Sequence, residues 1–380
     1  MTSRRPLPRE LDLPLEGEPG PTNSIADVGA VAVGYWQVDE AGAHGRPFRT
    51  GVTAILPFGA ALTLLSCPAA VHSQNGNGEM TGSHWIRDSG RMASPILITN
   101  THGVGAAHEA AVRWMVETYP GLFDEDHAWA LPVVAETYDG FTNDLLGFRL
   151  RPEHARLALD DALRTARAAA EAGAAAPIAQ GNVGGGMGMQ SFAFKGGSGS
   201  SSRRVRCGGV EGRVGVFVQS NFGNRDQFQF RGVPIGRLID QPSPFAPGSG
   251  EAGSLITIVA TDLPLDAGQL DLVARRVPMG VALLGGRAGN HSGEISLAFS
   301  VANARPARGL RPVADALIPA LQLDHAALDP LYEATVQATE EAILNALFAA
   351  RSMPTHKPPG TLHALDVEQM LELLRSFSWR

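Results

Sequence analysis

Residues 255–260, Leu-Ile-Thr-Ile-Val-Ala, constrain the fold more than any other part of this chain. They are apolar or β-branched without polar alternation, which predicts a strand that is buried on both faces. The stretch before them, residues 241–252, is rich in proline, glycine and serine and predicts a loop. The pair Gly253-Ser254 therefore lies where a loop enters a core strand.

Ser254 is a candidate nucleophile because of this position. If the peptide bond before it were cut, one residue would carry both a hydroxyl and a free α-amine. Such an amine has an unperturbed pKa of about 7.7–8.0 and can act as the base near neutral pH. Gly253 suits the cut, since the missing Cβ lets a hydroxyl approach its carbonyl. A Gly-Ser pair at a strand entry is also a common turn, so the pair alone does not decide between the two interpretations.

The composition argues against several classes of protein. The chain has 380 residues, 44% of them hydrophobic, which is enough for a large core. Lys and Arg number 31 against 38 Asp and Glu, which argues against a nucleic-acid partner. The two cysteines, Cys67 and Cys207, predict buried thiols in a reducing compartment. We find no pattern of a signal peptide or of a membrane span, and therefore expect a cytoplasmic protein.

Short β-branched segments and longer amphipathic segments predict a single α/β domain over residues 1–380. The predicted strands are residues 30–33, 52–56, 94–99, 132–135, 213–219 and 254–260. The predicted helices are residues 104–118, 152–171, 329–351 and 366–377. Residues 196–202, Gly-Gly-Ser-Gly-Ser-Ser-Ser, and residues 241–253 are predicted loops.

Residues 252–265 resemble the self-cleavage junction of the DmpA-type aminopeptidases, a family that includes the β-peptidyl aminopeptidases. Further blocks are similar to that family in the same order, so the resemblance extends from residue 23 to about residue 300. These blocks are Asn23-Ser-Ile-Ala-Asp-Val28, Thr50-Gly-Val-Thr53, residues 95–105, residues 134–144, Gly181-Asn-Val-Gly-Gly-Gly-Met-Gly-Met189, Val218-Gln-Ser-Asn-Phe-Gly223 and Asn290-His-Ser-Gly-Glu-Ile295.

The resemblance implies a four-layer αββα sandwich, like that of N-terminal nucleophile hydrolases but with different connectivity. It also implies self-cleavage into an α-chain, residues 1–253, and a β-chain, residues 254–380. The two chains should stay together, because Ser254 opens a core strand whose apolar faces would otherwise meet water. Members of the family are commonly tetramers of such αβ units, and we expect the same here.

The resemblance assigns the catalytic roles to three residues. Ser254 matches the family's nucleophile, and Ser292 and Glu294 match its second serine and its carboxylate. Residues two apart in an extended segment share a face, so one can orient the other while the pair relays or stabilises the proton from Ser254. His291 would point to the opposite face and is left out. The alternative for the pair is a polar strand end.

The resemblance also assigns the groups that bind the substrate. Asn221 matches the oxyanion-hole asparagine, a group that typically contributes about 3 kcal/mol. Tyr138 is the candidate for a second donor, although Phe141 can occupy the matching position and would leave that donor absent. Glu136 resembles the acidic residue that binds the substrate's amino terminus through a charge-assisted hydrogen bond. The alternatives are a turn former at Asn221 and a solvated loop acid at Glu136.

The predicted activity is that of a self-processing serine aminopeptidase or amidase, acting on small peptides, amides or esters with a free amino end. The resemblance extends the expected substrates to D- or β-amino acid derivatives. No metal and no cofactor is predicted, because no ligand set or phosphate-binding motif is present. One alternative is an acyltransferase similar to ornithine acetyltransferase, and another is a catalytically silent relative. Ser254 in place of a threonine argues against the first, and the complete candidate set argues against the second.

Overall fold

The computed structural model describes residues 4–42, 45–246, 253–310 and 317–377 of the protein. Its strands are β1 Ala32–Glu40, β2 Phe48–Leu56, β3 Leu65–Gly76, β4 Arg91–Met92, β5 Ile96–Asn100, β6 Val133–Thr137, β7 Gln190–Ser191, β8 Phe194–Lys195, β9 Gly197–Cys207, β10 Val210–Asn221, β11 Gly253–Thr261, β12 Ser292–Ser300, β13 Arg305–Pro306, β14 Met353–Thr355 and β15 Gly360–Leu362. Its α-helices are α1 Ser83–Ser89, α2 Val104–Thr118, α3 Pro120–Phe123, α4 Pro152–Ala172, α5 Ile235–Leu238, α6 Ala267–Ala274, α7 Val277–Leu283, α8 Asp329–Ala349 and α9 Val367–Ser376.

Two large sheets organise these elements. The first has four strands in the order β1-β2-β5-β6, and only the β5–β6 pair is parallel. The second has seven strands in the order β13-β3-β12-β11-β10-β9, with β4 paired to β3. In the second sheet, β11 and β12 are parallel, whereas β10 and β11 are antiparallel. The strand that starts at the Gly253-Ser254 pair is therefore central, with neighbours on both sides.

Three apolar clusters show that helices and sheets form four layers. Helices α2 and α4 pack on one face of the four-stranded sheet. The other face of that sheet packs against the seven-stranded sheet, and α6, α7 and α8 cover the far face of the seven-stranded sheet. Residues of the inter-sheet cluster include Ile96, Ile98, Val133 and Ala135 on one side and Phe217, Ile256, Ile258, Leu297 and Phe299 on the other. The order α, β, β, α agrees with the predicted sandwich.

The long helices begin and end where the local sequence predicts. Helix α4 starts with Pro152, whose ring fixes a helical φ and whose missing N–H needs no partner in the first turn. It ends at Gly173, which adopts a left-handed conformation with φ of 62°. The predicted helices at residues 104–118, 152–171, 329–351 and 366–377 correspond to α2, α4, α8 and α9. Within the residues described, no helix has the length and apolar character that a membrane span requires.

The predicted loop at residues 196–202 is wrong, because most of this segment forms the buried start of β9. Glycine is required for close packing here, since a Cβ at Gly199 would lie 2.0 Å from the carbonyl oxygen of Ala342 in α8. The Ser201 hydroxyl donates to the carbonyl oxygen of Ala338, 2.6 Å away. Small residues with satisfied hydroxyls thus let a helix lie directly against the strand, and this contact outweighs their preference for loops.

The predicted strands overlap β1, β2, β5, β6, β10 and β11, whereas the long strands β3, β9 and β12 were not predicted. Of the second predicted loop, residues 247–252 lie outside the described residues. The described segment resumes at Gly253, which is already the first residue of β11. The strand predicted to begin at Ser254 is therefore confirmed.

Candidate active site

Ser254 is the second residue of the central strand β11 and is buried. Its hydroxyl donates a hydrogen bond to the carbonyl oxygen of Gly253, 2.7 Å away. Residues at even positions along β11, among them Ile256 and Ile258, belong to the inter-sheet cluster, so strand alternation directs Ser254 toward the same interior. The candidate nucleophile thus lies beside the carbonyl of the bond that we expect to be cut.

Glycine is the one residue type that fits at position 253, directly before Ser254. A Cβ at this position would lie 2.0 Å from the carbonyl oxygen of Asn221 and 3.0 Å from the Cα of Phe222. These are backbone atoms of β10 and the residue after it, so no side chain can move aside. The close approach of two backbones, rather than an unusual φ, explains this glycine.

Asn221 is directly opposite Ser254 in the antiparallel pairing of β10 with β11. Directly opposed residues of an antiparallel pair share a face of the sheet, with Cβ atoms about 4.5–5.5 Å apart. The Oδ1 atom accepts a hydrogen bond from the backbone N–H of Gln190 at 2.9 Å, and Nδ2 donates to the carbonyl oxygen of Tyr138 at 2.9 Å. These contacts fix the orientation of the amide, and an NH₂ group has a second hydrogen to donate.

Tyr138 contributes to this arrangement through its backbone carbonyl. Its side chain is 41% exposed, and its hydroxyl lies over Gly140, where an added Cβ would be 2.2 Å from the hydroxyl oxygen. The ring contacts Phe141 edge-on, with centroids 5.5 Å apart. Tyr138 and Phe141, the two candidates for the matching position, are therefore neighbours in one aromatic cluster. Phe245 extends this cluster, with its ring centroid 4.8 Å from that of Phe141.

Ser292 and Glu294 lie at the start of β12, and both are buried. The Ser292 hydroxyl donates to Glu294 Oε1 at 3.3 Å, so the predicted contact between the two side chains is present. In the parallel register, Ser292 pairs with Gly253 and Gly293 pairs with Ser254. The two residues thus flank the backbone of the Gly253-Ser254 bond from the neighbouring strand.

Glu136 lies near the carboxyl end of β6 and is 3% exposed. Its Oε1 accepts a hydrogen bond from the backbone N–H of Glu79 at 3.2 Å, and its Oε2 accepts one from the hydroxyl of Thr101. Burial raises the pKa of this carboxyl, and the two hydrogen bonds oppose that effect. Across the described ranges, no arginine or lysine forms an ion pair with Glu136. It is therefore a buried acid, not a solvated loop residue.

The carboxylate of Glu136 comes close to β12, the strand next to the one that carries the candidate nucleophile. A Cβ at Gly78 would be 3.2 Å from Glu136 Oε1 and 3.4 Å from the Cα of Gly293. The Glu136 carboxylate and the Gly293 backbone of β12 thus both lie next to the space at Gly78 that a side chain would fill. Because Gly293 pairs with Ser254, a group from the four-stranded sheet lies beside the edge of the seven-stranded sheet that carries the candidate nucleophile.

The predicted set lacked the residues that hold the site together. Gln190 positions the Asn221 amide through its N–H, and Gln219 lies on the same face of β10 as Asn221. The glycines of the 3₁₀ turn Gly184–Gly188 have no room for side chains; at Gly185 a Cβ would lie 2.0 Å from Gln219 Oε1. Spacing by two residues along a strand could have indicated Gln219, whereas no sequence signal indicates the backbone contact of Gln190.

Lys195 is a second buried titratable group close to this framework, in the hairpin strand that pairs with Gln190. Its Nζ donates to the carbonyl oxygens of Gly186 at 3.2 Å and Gly196 at 2.9 Å. Burial lowers the pKa of this ammonium group to about 7. The group ties the glycine-rich turn to the hairpin that orients Asn221. Within the described ranges there is no cluster of three His, Cys, Asp or Glu side chains suited to a metal ion.

Known proteins resemble this chain over nearly its whole length. Residues 23–358 match Peptidase family S58. Beta-peptidyl aminopeptidase BapA of Sphingosinicella microcystinivorans is 40% identical, and the alignment covers 98% of this chain and 92% of that protein. The solved L-aminopeptidase D-Ala-esterase/amidase of Ochrobactrum anthropi has a TM-score of 0.89 and 41% identity over 98% of this chain and 99% of that one. A beta-aminopeptidase of Burkholderia sp. has a TM-score of 0.87 and 36% identity, with 100% of each chain covered.

Two stacked sheets between helices, with a serine opening a central strand, define the class of N-terminal nucleophile hydrolases, and the solved structure from O. anthropi is described as a variant of that fold. Within this class the chain belongs to peptidase family S58. It is a hydrolase of the serine aminopeptidase/amidase type. The relatives named here are aminopeptidases and give no support to the acyltransferase alternative.

Proposed function

We propose that the protein is a self-processing aminopeptidase in which Ser254 cuts the bond before itself and then serves as the catalytic nucleophile. The Ser254 hydroxyl is already in contact with the Gly253 carbonyl, at 2.7 Å. Attack on that carbonyl carbon followed by hydrolysis frees the α-amine of Ser254. The products are an α-chain of residues 1–253 and a β-chain of residues 254–380, held together by the strands that flank β11.

In turnover, the Ser254 hydroxyl attacks the substrate carbonyl and its proton passes to the free α-amine, which then protonates the leaving group. Asn221 Nδ2 donates to the oxyanion from the opposite strand. The tyrosine hydroxyl of Tyr138 is the second donor in this proposal. Ser292 and Glu294 lie alongside the cut bond, where they hold the ammonium form of the new terminus and so stabilise the proton from Ser254. Water then releases the acyl group.

The observation that carries recognition of an amino terminus is the buried carboxylate of Glu136. A buried carboxylate is costly unless a cation pairs with it. Among the described residues, Glu136 receives two neutral hydrogen bonds and no ion pair from arginine or lysine, and the charge of His102 is the weakest of the influences on its pKa. The substrate's ammonium group supplies the missing charge, which selects small peptides, amides or esters with a free amino end over blocked ones.

The relatives support substrates beyond ordinary L-peptides. Two of them are named for β-peptides or β-amino acids, and one for L-amino acids together with D-alanyl esters and amides. We propose that this chain acts on aminoacyl compounds of these kinds. We further propose a cytoplasmic homotetramer of αβ units; the free, buried cysteines Cys67 and Cys207 suit a reducing compartment.

Intact-mass analysis and N-terminal sequencing test this proposal directly. The native protein should give two chains, with the smaller one starting at Ser254, and Ser254→Ala should remain one folded chain. Thr257→Val is the matched control, because it removes another buried hydroxyl from β11, one that has no hydrogen-bond partner among the described residues. A native protein with only the original amino terminus, or normal cutting of Ser254→Ala, would refute the assignment.

Activity is then measured on α-L-, α-D- and β-aminoacyl p-nitroanilides. Hydrolysis of at least one class by the native protein, and of none by Ser254→Ala, is the expected result. N-acetylated versions of the same compounds should be poor substrates. Equal rates with free and acetylated amino ends would show that Glu136 does not recognise the ammonium group.

A further inference from the structure

A buried polar bridge joins the two sheets directly behind the site. Gln219 of β10 is fully buried and projects between the sheets, two residues before Asn221. Its Nε2 donates to the hydroxyl of Thr137 in β6 at 2.7 Å and to the carbonyl oxygen of Thr99 in β5 at 3.0 Å. The Thr137 hydroxyl in turn donates to the sulfur of Met189 at 2.8 Å. One side chain thus connects the seven-stranded sheet to two strands of the four-stranded sheet.

The bridge joins the two sheets that carry the two halves of the proposed site. The nucleophile and the oxyanion donor belong to β11 and β10 of one sheet, whereas Glu136 belongs to β6 of the other. Thr137, which the bridge holds, is the residue directly after Glu136. The distance between the Glu136 carboxylate, which we propose binds the ammonium group, and Ser254 therefore depends on how far apart the two sheets lie at Gln219.

Most of the remaining contact between the sheets is apolar. Apolar burial is non-directional and does not by itself fix a distance to a fraction of an ångström. Hydrogen bonds of 2.7 and 3.0 Å are directional and short, so they define the spacing more sharply. The glycine-rich turn packs on the far side of the same amide, where Gly185 leaves space for the Oε1 atom of Gln219.

That spacing matters for the length of the substrate. A β-amino acid has one more carbon between its amine and its carbonyl than an α-amino acid, and a carbon–carbon bond is about 1.5 Å long. Misplacement of reacting groups by about 1 Å can cost on the order of 100-fold in rate. A fixed distance between Glu136 and Ser254 therefore favours one backbone length over the other.

We infer that Gln219 is the positioning residue that sets the preference between α- and β-aminoacyl substrates, by fixing the spacing of the two sheets at the site. This inference rests on the proposed function of Ser254 and Glu136. Gln219 itself is buried and does not touch the substrate. Asn221 also joins β10 to the loop after β6, but it donates to the oxyanion as well, so its replacement cannot separate spacing from catalysis.

The test compares Gln219→Met with the native protein. Methionine keeps a similar volume and removes both donated hydrogen bonds. The readout is the ratio of kcat/KM for an α-alanyl and a β-homoalanyl p-nitroanilide, which have the same side chain and leaving group. We expect that ratio to change by about tenfold or more, mainly through kcat, while self-cleavage is retained.

A second pair of variants tests the same bridge from the other sheet. Thr137→Val removes the hydroxyl that accepts from Gln219, so its ratio should move in the same direction, whereas Thr137→Ser keeps the hydroxyl and should stay near native. Thr257→Val, which removes a buried hydroxyl outside the bridge, should leave the ratio unchanged. If Gln219→Met fails to fold, the comparison of the two Thr137 variants decides.

The inference is overturned if the ratio stays within about twofold of native in folded Gln219→Met or in Thr137→Val, whether or not both rates fall together. It is also overturned if Thr137→Ser shifts the ratio as far as Thr137→Val does. A native protein that hydrolyses neither compound is a different result, because it refutes the proposed function itself.

Discussion

Replacement of Gly253 by alanine should slow self-cleavage strongly while sparing the chemistry of the cleaved protein. The added Cβ would lie 2.0 Å from the Asn221 carbonyl oxygen, and real Cβ contacts are essentially never shorter than 3.0 Å. The backbone at the bond to be cut must therefore move by about 1 Å, which typically costs on the order of 100-fold in rate. After cleavage, residue 253 ends the α-chain and no longer joins Ser254, so this strain is released.

The assay is a time course of precursor and products by intact mass, followed by kcat/KM per mole of cleaved protein. Gly253→Ala should process about 100-fold more slowly than the native chain and, once cleaved, should turn over at a nearly native rate. Gly105→Ala is the matched control, because a Cβ at Gly105 in α2 meets no atom within 4 Å. Processing of Gly253→Ala at the native rate would refute the packing argument.

Three further changes test the site and its support. Glu136→Gln should lower kcat/KM for free-amine substrates about ten- to a hundredfold, the loss of a charge-assisted bond of roughly 1.5–3 kcal/mol. Because burial raises the pKa of Glu136 and its ionised form binds the ammonium, native kcat/KM should fall as the pH drops through that raised pKa; a pH profile of Glu136→Gln should lack this limb. Asn221→Ala should lower kcat by on the order of 100-fold with a smaller change in KM, and unchanged steady-state rates would exclude it from the oxyanion hole. The pKa of Lys195 is lowered from 10.5 to about 7, so the unfolded chain binds the extra proton between these values and native stability falls as the pH drops from 10.5 toward 7. In thermal unfolding, Lys195→Met should therefore gain stability relative to the native protein over that pH range, and a constant difference in Tm would contradict this.

The individual site residues could be named from the sequence because each lies in a short block that resembles a block of the family. Ser254 follows a loop-like stretch and opens an apolar run, and Glu294 lies two residues after Ser292. The spacing of Ser292 and Glu294 by two residues predicted that their side chains share a face of an extended segment, and the structure brings them into contact. The choice between Tyr138 and Phe141 did not follow, since both lie in one loop and their rings pack against each other.

The supporting residues were not accessible in the same way. Gln190 acts on Asn221 through a backbone N–H, which any residue type except proline provides. Among the described residues, the lack of an arginine or lysine ion pair at Glu136 depends on which segments pack around it, in this case those of Glu79 and Thr101. Neither property is encoded in the local pattern of residues.

Local periodicity and turn chemistry in the sequence determined the long helices and the apolar strand at Ser254, and the resemblance to the family implied the αββα class. Only the tertiary structure decided that residues 197–207 form a strand, because α8 packs directly on Gly199 and overrides the local preference of glycine and serine for loops. Only it placed Asn221 opposite Ser254, and the Glu136 carboxylate near the Gly293 backbone that pairs with Ser254. Strand register and sheet spacing arise from contacts between residues far apart in the chain, and those contacts have no signature within any one segment.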